Sequence, residues 1–194
     1  MTSPHPPVSP STPGIDDPLV ARVRDHARHL PESGIVEVMN YGRAQEGVIP
    51  LWAGEGDLPT PDFICAAAAK SLAAGETFYT WQRGLPELRQ AIARYMARHY
   101  PNAADPERYF VTGSGMHAIL TAFAMALGPG DELLLPSPTW PNAAAAAQKA
   151  GAIPVPVPFA YGPQGFTLDH ERLAAAVTPR TRAIFMNTPA NPTG

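Results

Sequence analysis

The chain has 194 residues, 45% apolar and 16% charged, with a net charge of −3 and an isoelectric point near 6.0. That length suits one ordinary domain or part of a larger one, and the apolar share is enough for a core. The weakly acidic balance argues against a nucleic-acid surface, which needs clustered Lys and Arg.

Cys65 is the only cysteine, so an internal disulfide and a cysteine-based zinc site are both excluded. Its setting, Phe63-Ile-Cys-Ala-Ala-Ala, predicts a buried thiol. His26, His29, His99, His117 and His170 show no metal-ligand spacing, and no metal site is expected. The longest apolar stretch, Ala118 to Leu127, is too short for a bilayer, and prolines stand where a signal peptide would be apolar. A cytoplasmic protein without membrane contact is expected. Lysine is scarce, with only Lys70 and Lys149 present.

In chain order, residues 1–14 are rich in Ser, Thr and Pro and read as a disordered arm. Residues 15–58 form an N-terminal segment. Within it, Leu19, Val23 and Leu30 are spaced for a short amphipathic helix over 18–30. A second helix is expected from Ile35 to about Ala44, a strand over Val48–Trp52, and a loop from Gly54. Residues 59–194 form the first part of a larger domain. Thr60 is expected as N-cap and Pro61 as first residue of a helix. Pro86–Tyr100 reads as a helix with Leu88, Ile92, Tyr95, Met96 and Tyr100 on one face. Strands follow at Tyr109–Thr112, Glu132–Leu135, Ile153–Val157 and Ala183–Asn187. Helices at Met116–Leu127, Asn142–Ala150 and Asp169–Val177 separate them. The alternation predicts an α/β fold with a mostly parallel sheet between helices. The last strand runs into the chain end without a covering helix, so the architecture reads as incomplete at the C-terminus.

Three strand ends carry chemistry. Val111-Thr-Gly-Ser-Gly-Met-His-Ala118 is a small-residue turn opening a helix, whose free N–H groups suit an anion. It also reads as a tight strand-to-helix turn, or as a dinucleotide fingerprint. The last needs an acid at the far end of the next strand, whereas Asp131 and Glu132 stand at its near end. Trp140, between Pro138 and Pro141, can stack on a flat ligand or lie on the core as a lid. Asn191 before Pro192 is held extended or in a turn, in a bond that is a candidate for cis, and can donate to a ligand oxygen or cap a loop. Together they suit a phosphorylated, planar, oxygen-bearing ligand.

Four segments carry a resemblance: Leu51-Trp-Ala-Gly-Glu-Gly-Asp-Leu-Pro-Thr-Pro-Asp, Phe78-Tyr-Thr-Trp-Gln-Arg-Gly-Leu-Pro-Glu-Leu-Arg, Pro129-Gly-Asp-Glu-Leu-Leu-Leu-Pro-Ser-Pro-Thr-Trp-Pro-Asn, and Asn187-Thr-Pro-Ala-Asn-Pro-Thr-Gly194. In order, they resemble the class I/II aminotransferases, fold-type I pyridoxal-phosphate enzymes of the aspartate aminotransferase kind. The resemblance implies the three-layer large domain of that fold. It implies that Ser114, Gly115 and Met116 hold the cofactor phosphate and Trp140 stacks on the pyridine ring. Asn191 would donate to the ring's phenolic oxygen and help hold the substrate carboxylate, which the Gly54 backbone also approaches. Tyr79 would reach the partner subunit's phosphate in a homodimer, or else pack within its own loop beside Phe78 and Trp81.

The implied reaction moves an amino group between an amino acid and a 2-oxo acid, with pyridoxal 5'-phosphate as cofactor. The Schiff-base lysine of such enzymes lies beyond the Asn-Pro-Thr-Gly motif, as do the aspartate facing the pyridine nitrogen and the arginine that clamps the α-carboxylate. Lys70 and Lys149 sit on helices, away from strand carboxyl ends, so no catalytic residue is expected here and the chain alone is expected to be inactive. Alternative readings are a carbon–sulfur lyase or decarboxylase on the same cradle, a nicotinamide-dependent oxidoreductase, or a regulator carrying such a domain.

Overall fold

The computed structural model describes residues 18–194, so the expected arm at residues 1–14 lies outside the described residues. In chain order come a 3-10 turn at Val20–Arg22, α1 (Asp25–Arg28), α2 (Gly34–Arg43), α3 (Asp62–Ala73), α4 (Pro86–Ala97), a 3-10 turn at Pro106–Arg108 and α5 (Gly115–Ala126). Then follow β1 (Glu132–Ser137), α6 (Pro141–Lys149), β2 (Ile153–Pro158), β3 (Ala160–Gly162), β4 (Gly165–Thr167), α7 (His170–Ala175) and β5 (Thr181–Ile184). The described residues form two compact units: 18–33 with Ile119–Gly194, and Gly34–Ala118.

The first unit holds the sheet. Its order is β2-β1-β5, with β1 parallel to both neighbours. Glu132 pairs with Ile153 on one side and Thr181 on the other, with a register shift between Glu132 and Leu133. β1 is buried at five successive residues, which is why it reads as an unbroken apolar run rather than an alternating one. Leu133 and Leu134 are fully buried. Ala143, Ala146 and Ala147 of α6 are buried too, at helical spacing and without bulk, which lets the helix lie close to the sheet. α6 stops in a Schellman turn: Gly151, at φ +85°, donates to the Gln148 carbonyl, and Ala152 to that of Ala147. The sheet turns back over β1 between β2 and β5, and right-handed crossovers then put α6 and α7 on opposite faces.

β2 reads Ile-Pro-Val-Pro-Val-Pro. The Ile153 and Phe159 N–H groups donate to the Asp131 and Ser137 carbonyls beside β1, so the prolines at alternate positions leave their missing donors on the outer edge. Proline is tolerated at such an edge. The β3–β4 hairpin was not foreseen. Pro163-Gln164 turns the chain, Gly165 supplies φ +90°, and Tyr161 packs on Phe166 at 4.9 Å.

Several local expectations are corrected. The helix over 18–30 is split, because Val23 is extended and separates the 3-10 turn from the four-residue α1. Neither Val48–Trp52 nor Tyr109–Thr112 forms a strand. No neighbouring strand satisfies the backbone of either segment. Instead, Trp52 closes over Gly42 of α2, and the Tyr109 carbonyl accepts from the Arg89 side chain. The last strand is Thr181–Ile184 rather than 183–187, because its pairing with β1 starts at Glu132. Pro61, not Thr60, takes the N-cap of α3, and its carbonyl accepts from Ile64 and Cys65 N–H. Cys65 is exposed, because α3 is exposed throughout 62–70. α4 ends at Ala97 rather than Tyr100; the residues turned inward on it are Arg89 and Ala93, whereas Leu88 and Tyr95 are exposed, as is Tyr100 beyond its end. No helix among the described residues is long and apolar enough to cross a membrane.

Candidate functional site

In the Gly34–Ala118 unit, the Ser114 turn is built by local hydrogen bonds. The Ser114 hydroxyl oxygen accepts from the His117 N–H at 3.1 Å and so caps α5. The Thr112 hydroxyl donates to the Ser114 carbonyl at 2.8 Å, which fixes the turn from the strandless side. The Gly115 and Met116 N–H groups open the helix ahead of any carbonyl that could receive them. The Ser114 hydroxyl hydrogen also remains to be given. Ser114 and Gly115 are exposed, and added Cβ atoms at Gly113 and Gly115 would meet open space. This donor set, with room before it, fits an oxyanion such as a phosphate.

The same unit carries Tyr79, fully exposed with its neighbours Phe78 and Trp81, so it is not packed within its loop. Gly54 is exposed with open space around it. A groove of about 460 Å³ lined by Trp81, Gln82, Arg83, Pro86, Arg89 and Glu107 surrounds a pair of ion pairs that the sequence reading did not single out. Their only signal was two arginines within seven positions of each other beside a loop of small and acidic residues, which is common on solvated faces.

In the other unit, Trp140 is half-buried as the N-cap of α6, with Pro141 as first helical residue. It follows the carboxyl end of β1. Asn187 and Asn191 follow the carboxyl end of β5. Because β1 and β5 are adjacent and parallel, both loops leave at one edge of the sheet, where open α/β sheets bind ligands. The bonds before Pro138, Pro189 and Pro192 are cis, and the Gly194 N–H donates to the Ala190 carbonyl at 2.7 Å, closing a turn around Asn191. The amide of Asn191 is exposed there.

The acids required by a dinucleotide are engaged at the opposite edge. Asp131 accepts from the Gly128 N–H, and Glu132 is bound to Thr178 at 2.6 Å and to Arg180 at 2.9 and 2.5 Å. The Thr178 hydrogen bond foremost, then Arg180, holds the Glu132 carboxyl below its ordinary value against the opposing effect of burial. Lys70 and Lys149 are both exposed on helices.

Residues 46–194 match the family described as aminotransferase class I and II. The chain belongs to this family. A probable aspartate/prephenate aminotransferase of Thermus aquaticus is 40% identical over 147 residues, which are 76% of this chain and 38% of that protein. The aspartate/prephenate aminotransferase of Cereibacter sphaeroides is 38% identical over 180 residues, 90% of this chain and 44% of the relative. Among solved structures, the N-succinyldiaminopimelate aminotransferase of Mycobacterium tuberculosis superposes with a TM-score of 0.80 at 34% identity, covering 88% of this chain and 44% of that one. The aspartate aminotransferase of Thermotoga maritima gives 0.80 at 32% identity, over 89% and 47% respectively. The parallel α/β fold expected for an aminotransferase large domain is therefore present. The chain spans less than half the length of these family members.

Proposed function

We propose that this chain is the cofactor-cradling part of a pyridoxal-phosphate-dependent aminotransferase that moves an amino group between an amino acid and a 2-oxo acid. The observation that carries the reading is the Ser114 turn, where two N–H groups and a hydroxyl converge without an acceptor of their own. Ser114, Gly115 and Met116 bind the phosphate. Trp140 covers one face of the pyridine ring, and Asn191 donates to the phenolic oxygen and orients the substrate carboxylate beside the Gly54 backbone. Tyr79, exposed on its loop, serves the partner subunit's phosphate in a homodimer. Residues 15–58 contribute to the small domain and arm, and 59–194 to the cofactor-binding domain. The bound cofactor would supply the electron sink that lets an α-proton leave an amino acid. Neither Lys70 nor Lys149, both exposed on helices, moves that proton in this reading. A reducing, cytoplasmic setting suits the exposed thiol of Cys65.

The test is binding of pyridoxal 5'-phosphate against pyridoxal, by equilibrium dialysis with the full chain. A preference for the phosphorylated form of roughly tenfold or more is expected, as charge-assisted bonds to backbone donors would give. Ser114→Asp keeps a helix cap but places a carboxylate where the phosphate goes. It should abolish the preference and leave the melting temperature near wild type. Equal binding of both compounds by the wild-type chain would overturn the reading.

A further inference from the structure

We infer that Arg89, with Glu107 and Arg83, is a positioning device for the Ser114 turn and for the Tyr79 loop. The inference rests on the function proposed above.

Arg89 is 8% exposed, and a charged side chain is seldom so buried unless fully partnered. Each of its bonds runs to one short segment. Nε donates to the Pro106 and Tyr109 carbonyls at 3.2 and 3.1 Å, and Nη2 to the Pro106 carbonyl at 2.8 Å. Nη2 also meets Glu107 at 2.7 Å. The other Glu107 oxygen accepts from Arg83 at 2.6 Å. Arg83 holds the same segment twice more. Its carbonyl accepts from the Val111 N–H at 3.0 Å, and its guanidinium lies 4.5 Å from the centre of the Phe110 ring. Gly84, at φ +97°, lets Val111 approach so closely that a Cβ there would fall 2.5 Å from Val111 Cγ2.

Residues 106–111 belong to no sheet, so no ladder of backbone hydrogen bonds holds them. The arginine fork performs that task through carbonyls, and its planar donors do so with little freedom left to lose. The next residues are Thr112 to Met116, the anion turn. Arg83 and Gly84 also end the Tyr79 loop, where the Gly84 N–H donates to the Trp81 carbonyl at 2.8 Å. The two segments assigned to cofactor phosphates thus converge on one clamp. A group misplaced by an ångström can lose most of its effect, so the clamp acts on binding without touching the ligand.

The experiment uses Arg89→Met, which keeps length and removes every donor, with Glu107→Gln as the milder variant. Each full-length chain is measured for binding of pyridoxal 5'-phosphate and of pyridoxal, and for deuterium uptake. Arg89→Met should weaken binding of the phosphorylated form by roughly tenfold while pyridoxal binding is unchanged, the signature of a displaced phosphate site. Uptake should rise in peptides covering 106–118 and stay at the wild-type level in 132–137. A wild-type preference between the two compounds, or unchanged uptake at 106–118, overturns the inference. If Arg89→Met raises uptake in 132–137 as well, the chain has unfolded and Glu107→Gln decides: a reduced preference supports the clamp, and an unchanged one refutes it. If the wild-type chain shows no preference, the proposed function fails instead, and uptake at 106–118 alone judges the clamp.

Discussion

Glu132 stands at the start of β1, 4% exposed, with the Thr178 hydroxyl and the Arg180 guanidinium on its carboxylate. Its carboxyl titrates below the ordinary 4.5, because the hydrogen bond from Thr178 and then Arg180 favour the charged form more than burial opposes it. The folded chain therefore holds this proton less tightly than the unfolded one. The resulting stability is complete above the ordinary value and disappears as pH falls through the lower, folded-state value. Melting temperatures from pH 7 down to pH 3 should show the wild type losing more than Glu132→Gln over that acid window, and parallel curves would contradict it. Gly84 offers a second test. Ala there meets both a left-handed φ and the Val111 side chain, so Gly84→Ala should cost about 1–3 kcal/mol in urea unfolding. A variant as stable as the wild type would mean that the close approach is not needed.

At the scale of elements, β1 carries the first unit. It is buried on both faces and paired on both edges, and Leu134 is wholly out of water. Leu134→Ala should destabilise by about 2–5 kcal/mol, measured by denaturant unfolding. A change near zero would mean the site collapses freely. β1 was legible in the sequence because burial on both faces gives an apolar run, and α6 and β2 because an alanine-rich stretch and a β-branched one follow it in alternation. The expected strands at 48–52 and 109–112 have equally apolar sequences. What they lack is a neighbour, and a strand exists only through its partner. α4 misled in another way. Its large residues Leu88 and Tyr95 suggested the inner face, but Arg89 lies there because its donors find carbonyls at 106 and 109.

Among the described residues as a whole, apolar exposure is widespread. Leu51 and Phe78 are 88% exposed, Met125 85% and Phe63 75%. Surfaces of this kind seek cover. Size-exclusion chromatography across a concentration series should show self-association, and a hydrophobic dye should bind. A dye-silent monomer at every concentration would refute this. Purified alone and supplied with pyridoxal 5'-phosphate, aspartate and 2-oxoglutarate, the chain should show no amino transfer. Borohydride should fix the cofactor to no single lysine, since Lys70 and Lys149 are both exposed to solvent.

The sequence by itself determined the family, the order of α5, β1, α6, β2, α7 and β5 without the β3–β4 hairpin, and the residue types of the Ser114 turn and of the loops after β1 and β5. Those signals are short: a run of leucines, a proline after a tryptophan, a turn of glycines around Ser114. Each is complete within a window of a few residues, so no folded context is needed to read it. Only the tertiary structure decided that the strands before Trp140 and Asn191 are neighbours, that Tyr79 and Cys65 face solvent, and that Arg89 and Glu132 lie inside. These facts depend on partners far along the chain: Arg89 meets Pro106 17 residues away, and Glu132 meets Arg180 48 residues away. A charge in a sequence looks the same on a surface and in a clamp, and only the group opposite it distinguishes the two.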